Sequence, residues 1–568
     1  MSWIDWFILT GTLLAIVLYG TWKTRKNNNL EGYLKGNNSE NWMTIGLSIM
    51  ATQASAITFL STPGQAYESG MGFIQIYFGL PLAMIIISVF FLPIYYKLKV
   101  YTAYEYLEGR FDVKVRSLTA FLFLMSRGLA AGITIFAPAI ILSTLLGWNL
   151  QLTCLIIGGL VIIYTVSGGS RAVSLTQKWQ MAVIMAGMFV AFYYVLDSFP
   201  EGVGFADGID IAGRLGKMEI VDTSVDPTNR YTIWSGLIGG LFLSLSYFGT
   251  DQSQVQRYLG GKSLKASRMG LMFNGLMKIP MQFFILLVGV MVFVSFQFNK
   301  PPIVFNGATI DTEVYETKGL ASLEAKYDIV HGYKEYQLNE WHKSKDPEIL
   351  NTVSDMQYLQ DELRESYKMT LTSLDEDYVS EDHDYIFLTF VLNFLPTGLI
   401  GLLLAMIFSA AMSSTAGELN ALASTTTIDF YKKYFSKSDD EKKDLRISKL
   451  LTVGWGVLAI IVALTAGLFD NLIELVNILG SLFYGTILGV FLLAFFFKRV
   501  QAKATLIAAV SAQITIFIIH ILYVFKFIEI SYLLYTFIGG IMVVVVGIIL
   551  QLLFNPTEKE DLTTTTID

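Results

Sequence analysis

Long apolar runs separated by short clusters of Lys and Arg set the pattern of this chain. A helix needs about 20 mostly apolar residues to cross a bilayer, so runs of roughly 18 or more are read as spans. Thirteen runs qualify: 3–22, 42–61, 72–96, 117–146, 150–167, 173–196, 232–250, 269–298, 385–411, 450–469, 472–497, 504–525 and 530–554. Lys and Arg gather between alternate spans: Lys23, Arg25, Lys26 and Lys35, then Lys97, Lys99, Arg110, Lys114 and Arg116, then Arg171 and Lys178. Arg257, Lys262, Lys265 and Arg268 follow, then the run from Lys432 to Lys449, and finally Lys498, Arg499 and Lys503. The turns at 147–149 and 470–471 carry none. Because basic loops stay on the cytoplasmic side, the pattern predicts an outside N-terminus and a cytoplasmic C-terminus. The first run is followed rather than preceded by basic residues, the reverse of a secretory signal, and reads as a retained helix.

Two segments assigned outside are long. Residues 198–231 are mildly acidic, and 299–384 are strongly acidic. Asp346-Pro347 is a helix-start signal, and Leu350, Val353, Leu359 and Leu363 recur at helical spacing after it. The insertion 299–384 is therefore expected to form an extracellular helical hairpin. The threonine run Thr563–Thr566 predicts a disordered tail over 555–568.

Composition agrees with a membrane protein. Of 568 residues, 53% are hydrophobic and only 15% charged, against about a quarter charged in soluble chains. The net charge of −7 comes from acidic loops. The single Cys154 permits no internal disulfide, and the four histidines, at 331, 342, 383 and 520, form no metal-ligand spacing. No nucleophile, metal or acid–base cluster of the kind an enzyme needs is present, and nothing points to nucleic acid. The short segment after the last span leaves no room for a signalling domain, so a transporter-like sensor is a weaker expectation.

Polar residues inside spans are costly and mark function. Arg127 lies about ten residues into its span, roughly 15 Å along a helix, and Lys278 is placed similarly in its own. The second span, Ile45 to Gly64, is crowded with small and hydroxyl residues. It fits a discontinuous helix whose freed backbone carbonyls face a cavity or an ion. Ala51 and Ala54 leave room for a cation to reach those oxygens. In the ninth span, Ser413 and Ser414 offer two hydroxyls and Ala410, one turn earlier, a carbonyl. Neutral oxygens of this kind suit Na⁺ better than a proton, although Glu418 beside them keeps a proton-coupled carrier as an alternative.

Several ordered motifs resemble the sodium/solute symporter family, which includes sodium/glucose, proline, iodide, vitamin and sialic acid carriers. Ser48–Phe59 with Pro63-Gly64 and Tyr67 resembles its first core helix. Phe91-Leu92-Pro93 and Tyr101-Thr102 follow, and Tyr164-Thr165 to Gly168-Gly169 with Ala172-Val173 resembles its signature. Thr250-Asp251-Gln252 with Gln256-Arg257 is similar to the sugar branch. Ser413-Ser414 through Leu419-Asn420 to Asp429-Phe430-Tyr431 is similar to the sodium-binding helix. The resemblance covers about residues 1–500. It implies an all-α polytopic fold of the LeuT type, with two inverted five-helix repeats at 42–231 and 232–499. An extra helix would lie in 1–41, and two peripheral helices in 500–554.

Carried over, the family's common sodium site falls on the carbonyls of Ala51, Ala54 and Ala410 and the hydroxyls of Ser413 and Ser414. The aspartate that some members place after Thr176 is Gln177 here, and two serines of a second sodium site are Ala416 and Gly417. One sodium ion per solute is therefore expected, with Gln177 orienting the site. For the solute, Lys278 matches a sugar-branch lysine, Asn477 a sugar-contacting glutamine and Asp251 an asparagine of a bacterial sugar carrier. Thr58 and Tyr77 replace the glutamine and glutamate of galactose carriers, and Ser55 and Thr58 resemble hydroxyl positions of the sialic acid branch. Arg127 falls in the region of that branch's carboxylate-binding arginine, and arginine suits bidentate carboxylate recognition. The expectation is sodium-coupled import across the plasma membrane of a small polar solute, a sugar first and an acidic sugar or carboxylate second, by a protein for which a monomer suffices.

Overall fold

A computed structural model describes residues 2–24, 30–35, 39–226, 228–306, 318–374, 378, 380, 382–436, 440–465 and 472–554. The expected tail 555–568, residues 307–317 of the insertion, Arg25, Lys26, Lys437 and the turn 470–471 lie outside the described residues. Among the described residues the chain is helical, apart from an isolated bridge between Glu40 and Gly261. This follows from the solvent: in lipid each backbone N–H and C=O must be paired within its own segment.

Helices α1 (Trp3–Thr24), α2 (Trp42–Gln53) and α3 (Ala56–Ser69) open the chain. A tighter turn over Gly70–Tyr77 leads to α4 (Leu80–Ile86), which continues through Ile87–Phe91 into Leu92–Leu98. Then come α5 (Val113–Leu146) and α6 (Leu150–Asp197). A wide turn at Ser235–Gly239 starts α7 (Gly240–Gly249), followed by α8 (Gln252–Leu259) and α9 (Leu264–Phe298). The insertion supplies α10 (Lys318–Ser344) and α11 (Pro347–Leu374). Next are α12 (His383–Phe394), α13 (Leu399–Thr425) and α14 (Glu441–Thr465). Helices α15 (Leu472–Phe496), α16 (Ala502–Val524) and α17 (Leu533–Phe554) complete the chain.

Side-chain caps set several starts, as expected for Asn, Asp and Ser at these positions. Asn41 accepts from the Thr44 N–H at 2.9 Å, Asp112 from Val115 at 2.8 Å and Ser263 from Ala266 at 3.2 Å. Helix α6 kinks at Gly169, whose φ of 59° suits glycine. A Cβ there would also sit 2.8 Å from the Tyr33 carbonyl.

Among the described residues, ten helical runs are long and apolar enough to cross a membrane, and Trp3–Tyr19 and Ser235–Gly249 are shorter apolar helices. The thirteen expected spans map onto these with two corrections. Span 42–61 is broken after Gln53 and resumes as α3, which ends at Gly70 with φ 73° before the turn into α4. Span 385–411 is two helices: Pro396 and the positive φ of Gly398 (94°) end α12 and restart the chain as α13, which reaches Thr425. The hairpin is present in the insertion, with α11 starting at Pro347 as the Asp-Pro signal predicts.

The apolar windows separate central from peripheral helices. They are 83% buried in α5, 78% in α13 and α15 and 72% in α9, against 22–33% in α14, α16 and α17. Exposed leucines and isoleucines such as Leu552 suit a lipid-facing surface. Peripheral α1 is tied to the centre by Asp5, whose Oδ1 accepts from the Gly398 N–H at 2.6 Å and the Gly401 N–H at 3.1 Å. This carboxylate caps the positive end of α13 from another helix.

The insertion packs as a cap with a buried cation of its own. Lys334 in α10 is 1% exposed and donates to Gln357 at 2.8 Å and to Gln360, both on α11. Burial pushes its ammonium down to about 7 from 10.5. The unfolded hairpin thus binds a proton that the folded hairpin releases between pH 7 and 10.5. Cap stability should therefore rise with pH across this window, by up to about 1.4 kcal/mol per pH unit. Amide exchange in α10 and α11, corrected for intrinsic rates, should slow from pH 7 to 9.5 beyond the change in a Lys334→Met variant. Equal pH dependence in both proteins would refute the assignment.

Candidate functional site

Two helices break inside the bundle. Between α2 and α3, Ala54 has ψ 75° and Ser55 is extended. The Ser55 N–H donates to the Gln53 carbonyl and the Thr58 N–H to the Ser55 carbonyl, both at 3.0 Å. In a continuous helix those N–H groups would satisfy Ala51 and Ala54. Both carbonyls are thus released from the helical ladder, as the crowding of small residues predicts.

Helix α13 meets the first of them. Ser413 Oγ donates to the Ala51 carbonyl at 3.0 Å. The neighbouring Ser414 Oγ is buried and has no hydrogen-bond partner among the described residues. Ala410, fully buried one turn earlier, has a carbonyl with a second lone pair to offer. Gln177 of α6 braces the junction, donating to Thr52 Oγ1 at 2.9 Å and to the Ser413 carbonyl at 3.1 Å, while accepting from Ser48. The result is a set of neutral oxygens at the end of an unwound half-helix, the chemistry that holds Na⁺ in broken-helix carriers. No group of three or more His, Cys, Asp or Glu among the described residues is placed to hold a metal.

The second break, between α7 and α8, falls on Thr250 and Asp251. Asp251 caps α8, its Oδ1 accepting from Ser253 N at 2.8 Å and Ser253 Oγ at 2.6 Å. Tyr104 donates to the Thr250 carbonyl at 2.9 Å and Ala103 N–H to Gln252 Oε1 at 3.1 Å, holding the break from the side away from the cap.

A cavity lies between the two breaks, enclosing about 780 Å³ with its mouth included. Ser55, Thr58, Tyr77, Arg127 and Asn477 all line it. Asp251 does not; it lies behind Arg127 and takes its Nε at 2.6 Å. Lys278 is not on the wall either. It is fully buried, with its ammonium 5.4 Å from the Tyr77 ring centre. Sequence reasoning passed over Gln53, Ser244, Tyr247 and Tyr484, which also line the cavity. The signal available for Tyr484 was that it is the one tyrosine of its span.

Arg127 has two carboxylates. Its Nη1 donates to Glu418 Oε1 at 3.0 Å and its Nη2 to Tyr484 OH, beside the Asp251 bond. Thr134 donates to Glu418 Oε2 and Tyr484 OH to Asp251 Oδ2, at 2.9 and 3.0 Å. The guanidinium lies 4.8 Å from the Tyr247 ring centre. Three of the five N–H groups of an arginine are thereby engaged, leaving one on each Nη.

On the cap side, a vestibule touches Glu68, Arg230, Lys368 and Glu474. It shares the first turns of α15 with the cavity, Leu475 and Ile478 facing one and Val476 and Asn477 the other.

The sequence profile of the sodium:solute symporter family matches residues 33–320 and 377–511. The chain belongs to this family. It is a sodium-coupled, multi-pass membrane carrier of a small solute and not an enzyme. Sodium-coupled monocarboxylate transporter 2 of Mus musculus is 28% identical over 506 residues, covering 88% of this chain and 70% of the relative. The sodium/sialic acid symporter SiaT of Proteus mirabilis is 25% identical over 571 residues, covering 98% and 97%. A solved substrate-bound, outward-open structure of a Na⁺-coupled sialic acid symporter superposes with a TM-score of 0.76 at 23% identity, covering 98% of this chain and all of that one. This last likeness establishes the shared fold.

Proposed function

We propose that this symporter imports an acidic sugar of the sialic type together with one sodium ion, by alternating access with the cap outside. The observation that carries this reading is the wall of the cavity. Among the described residues, Arg127 is the one charged side chain lining it, and hydroxyl or amide groups of Ser55, Thr58, Ser244 and Asn477 surround the same space. A fixed guanidinium supplies bidentate carboxylate recognition, and the polar groups suit the hydroxyls of a sugar acid. Relatives named for sialic acid and for monocarboxylates share the preference for an anion. A neutral sugar, the first expectation from sequence, is less supported, because Lys278 is behind Tyr77 and off the wall.

Ala51, Ala54, Ala410, Ser413 and Ser414 would hold the sodium ion. A single ion is favoured by what occupies the place of a second. Gln177 is neutral, and Arg257 donates to the Gly417 carbonyl at 3.4 Å, putting a cation where other members have a serine. One sodium with one monoanion moves no net charge. The membrane potential, worth about 2.3 kcal/mol per charge per 100 mV, then drops out. A tenfold sodium gradient alone drives about tenfold accumulation.

The test is uptake of labelled N-acetylneuraminate by proteoliposomes. Uptake should need sodium, fail in choline and ignore an imposed potential. Arg127→Lys keeps the charge but loses the planar fork, and should weaken acid binding at least about tenfold while leaving sodium-induced thermal stabilisation in place. Potential-driven uptake of a neutral hexose, or an unaltered Arg127→Lys, would refute this reading.

A further inference from the structure

The guanidinium that faces the cavity is more than neutralised from behind. Asp251 and Glu418 are 2% and 4% exposed, neither lines the cavity, and both bond Arg127. An incoming carboxylate is a third anion for one cation, in a setting where like charges repel strongly. Charge repulsion then favours release of one of the two resident carboxylates.

The two are not equivalent. Glu418 sits inside continuous α13 and is held by Thr134. Asp251 sits on the break between α7 and α8, and its two oxygens do different work. Oδ1 caps α8 through Ser253; Oδ2 takes Arg127 Nε and the Tyr484 hydroxyl. Oδ2 thus ties the second broken helix to α5 and α15, the helices of Arg127 and Tyr484. Breaking these contacts leaves the α8 cap intact, and the backbone at Thr250 and Asp251 is non-helical already.

We propose that Asp251 is an internal competitor for the solute's carboxylate. It neutralises Arg127 while the site is empty, and it yields the guanidinium when solute binds. This rests on the anion reading above. Exchange of one carboxylate for another turns binding into release of Asp251, at the α7–α8 break, from its side-chain partners on α5 and α15. That converts occupancy into freedom of a helix that must move in alternating access. It also sets specificity: a neutral solute cannot replace Asp251 on Arg127.

Asp251→Asn isolates the charge, since the amide keeps the shape and an acceptor oxygen for the cap. Binding of N-acetylneuraminate and of lactate to the purified full chain in saturating sodium should tighten about tenfold or more. The methyl ester of N-acetylneuraminate should gain nothing. The maximal uptake rate should fall, because solute no longer triggers the release. Tyr484→Phe removes a neutral contact to the same oxygen and should not tighten acid binding. Sodium-induced thermal stabilisation equal to that of the parent shows that each variant is folded. If the parent binds acid and Asp251→Asn binds it equally or more weakly, Asp251 is a positioning residue and the competitor role is overturned. If no carboxylate binds either protein, the anion reading falls, and this inference with it.

Discussion

Ser413→Ala is expected to raise the sodium concentration for half-maximal uptake by about 10- to 100-fold or more. Loss of a residue that only orients a metal ligand costs that much in other proteins, and Ser413 is proposed as a ligand itself. Two effects combine. The variant deletes one hydroxyl oxygen from the ion's shell, and it strips the Ala51 carbonyl of the group that fixes it across α2 and α13, a contact of 3.0 Å. The fold should tolerate the change, since the side chain is small and its backbone carbonyl keeps the Gln177 bond. Thermal shift against sodium measures this directly. Saturation at 100 times the dissociation constant stabilises by about 2.7 kcal/mol, and a 10- to 100-fold weaker site should leave only about 0.4–1.4 kcal/mol of this gain in Ser413→Ala over the same sodium range. Ser413→Thr, which keeps the hydroxyl, should restore most of it. Sodium stabilisation undiminished in Ser413→Ala would remove the proposed site. A Hill coefficient near two in the parent would count against a single sodium.

The first broken helix was legible in the chain because small and hydroxyl residues are crowded into a span that lipid would otherwise fill with large apolar ones. The second was harder to see. Residues Gly240–Gly249 form an ordinary apolar helix, and the only local sign is an aspartate followed by polar residues, an N-cap pattern that is common in loops. Arg127 announced itself as a cation at mid-span. Its partners did not, because Asp251 and Glu418 lie 124 and 291 residues along the chain. Spacing rules reach three or four residues on a helix, so a triad drawn from three helices leaves no periodic trace. Lys278 shows the converse. Its depth marked it as functional, yet the face of α9 it occupies turns it behind Tyr77, and depth alone does not specify a face. The division of 385–411 was signalled by Leu-Pro-Thr-Gly, but hydropathy averaged over a long window passes across four residues.

Asp382→Ala should destabilise the cap by about 3–5 kcal/mol, the cost of removing one partner from a buried ion cluster. Asp382 is fully buried and serves three donors. Oδ1 accepts from Arg364 Nη2 at 2.7 Å and pairs with Lys368 Nζ at 3.0 Å, and Oδ2 accepts the Phe305 N–H at 2.7 Å. Without it the two buried cations share, among the described residues, Glu68, 3.3 Å from Arg364, and the exposed Glu365. Arg364 and Lys368, with the Phe305 N–H, hold this carboxyl down at about 2, against 3.8 when free, despite its burial. Its contribution is therefore complete above 3.8 and is lost as the pH falls toward 2. Thermal unfolding at neutral pH should show the full loss in Asp382→Ala, and the gap to the parent should close in acid. Arg364→Met in the Asp382→Ala background should recover part of the loss, because it removes an orphaned charge instead of adding one. The consequence reaches the transport path, since Glu68 lies in the last turn of α3, the second half of the first broken helix, and also contacts His383 at the start of α12. A cap held by this cluster steadies the vestibule end of α3 through Arg364. Asp382→Ala should therefore also slow sodium-driven uptake at a temperature where the protein remains folded. Stability within about 0.5 kcal/mol of the parent, the range of ordinary surface substitutions, would show that the cluster does not bind the cap.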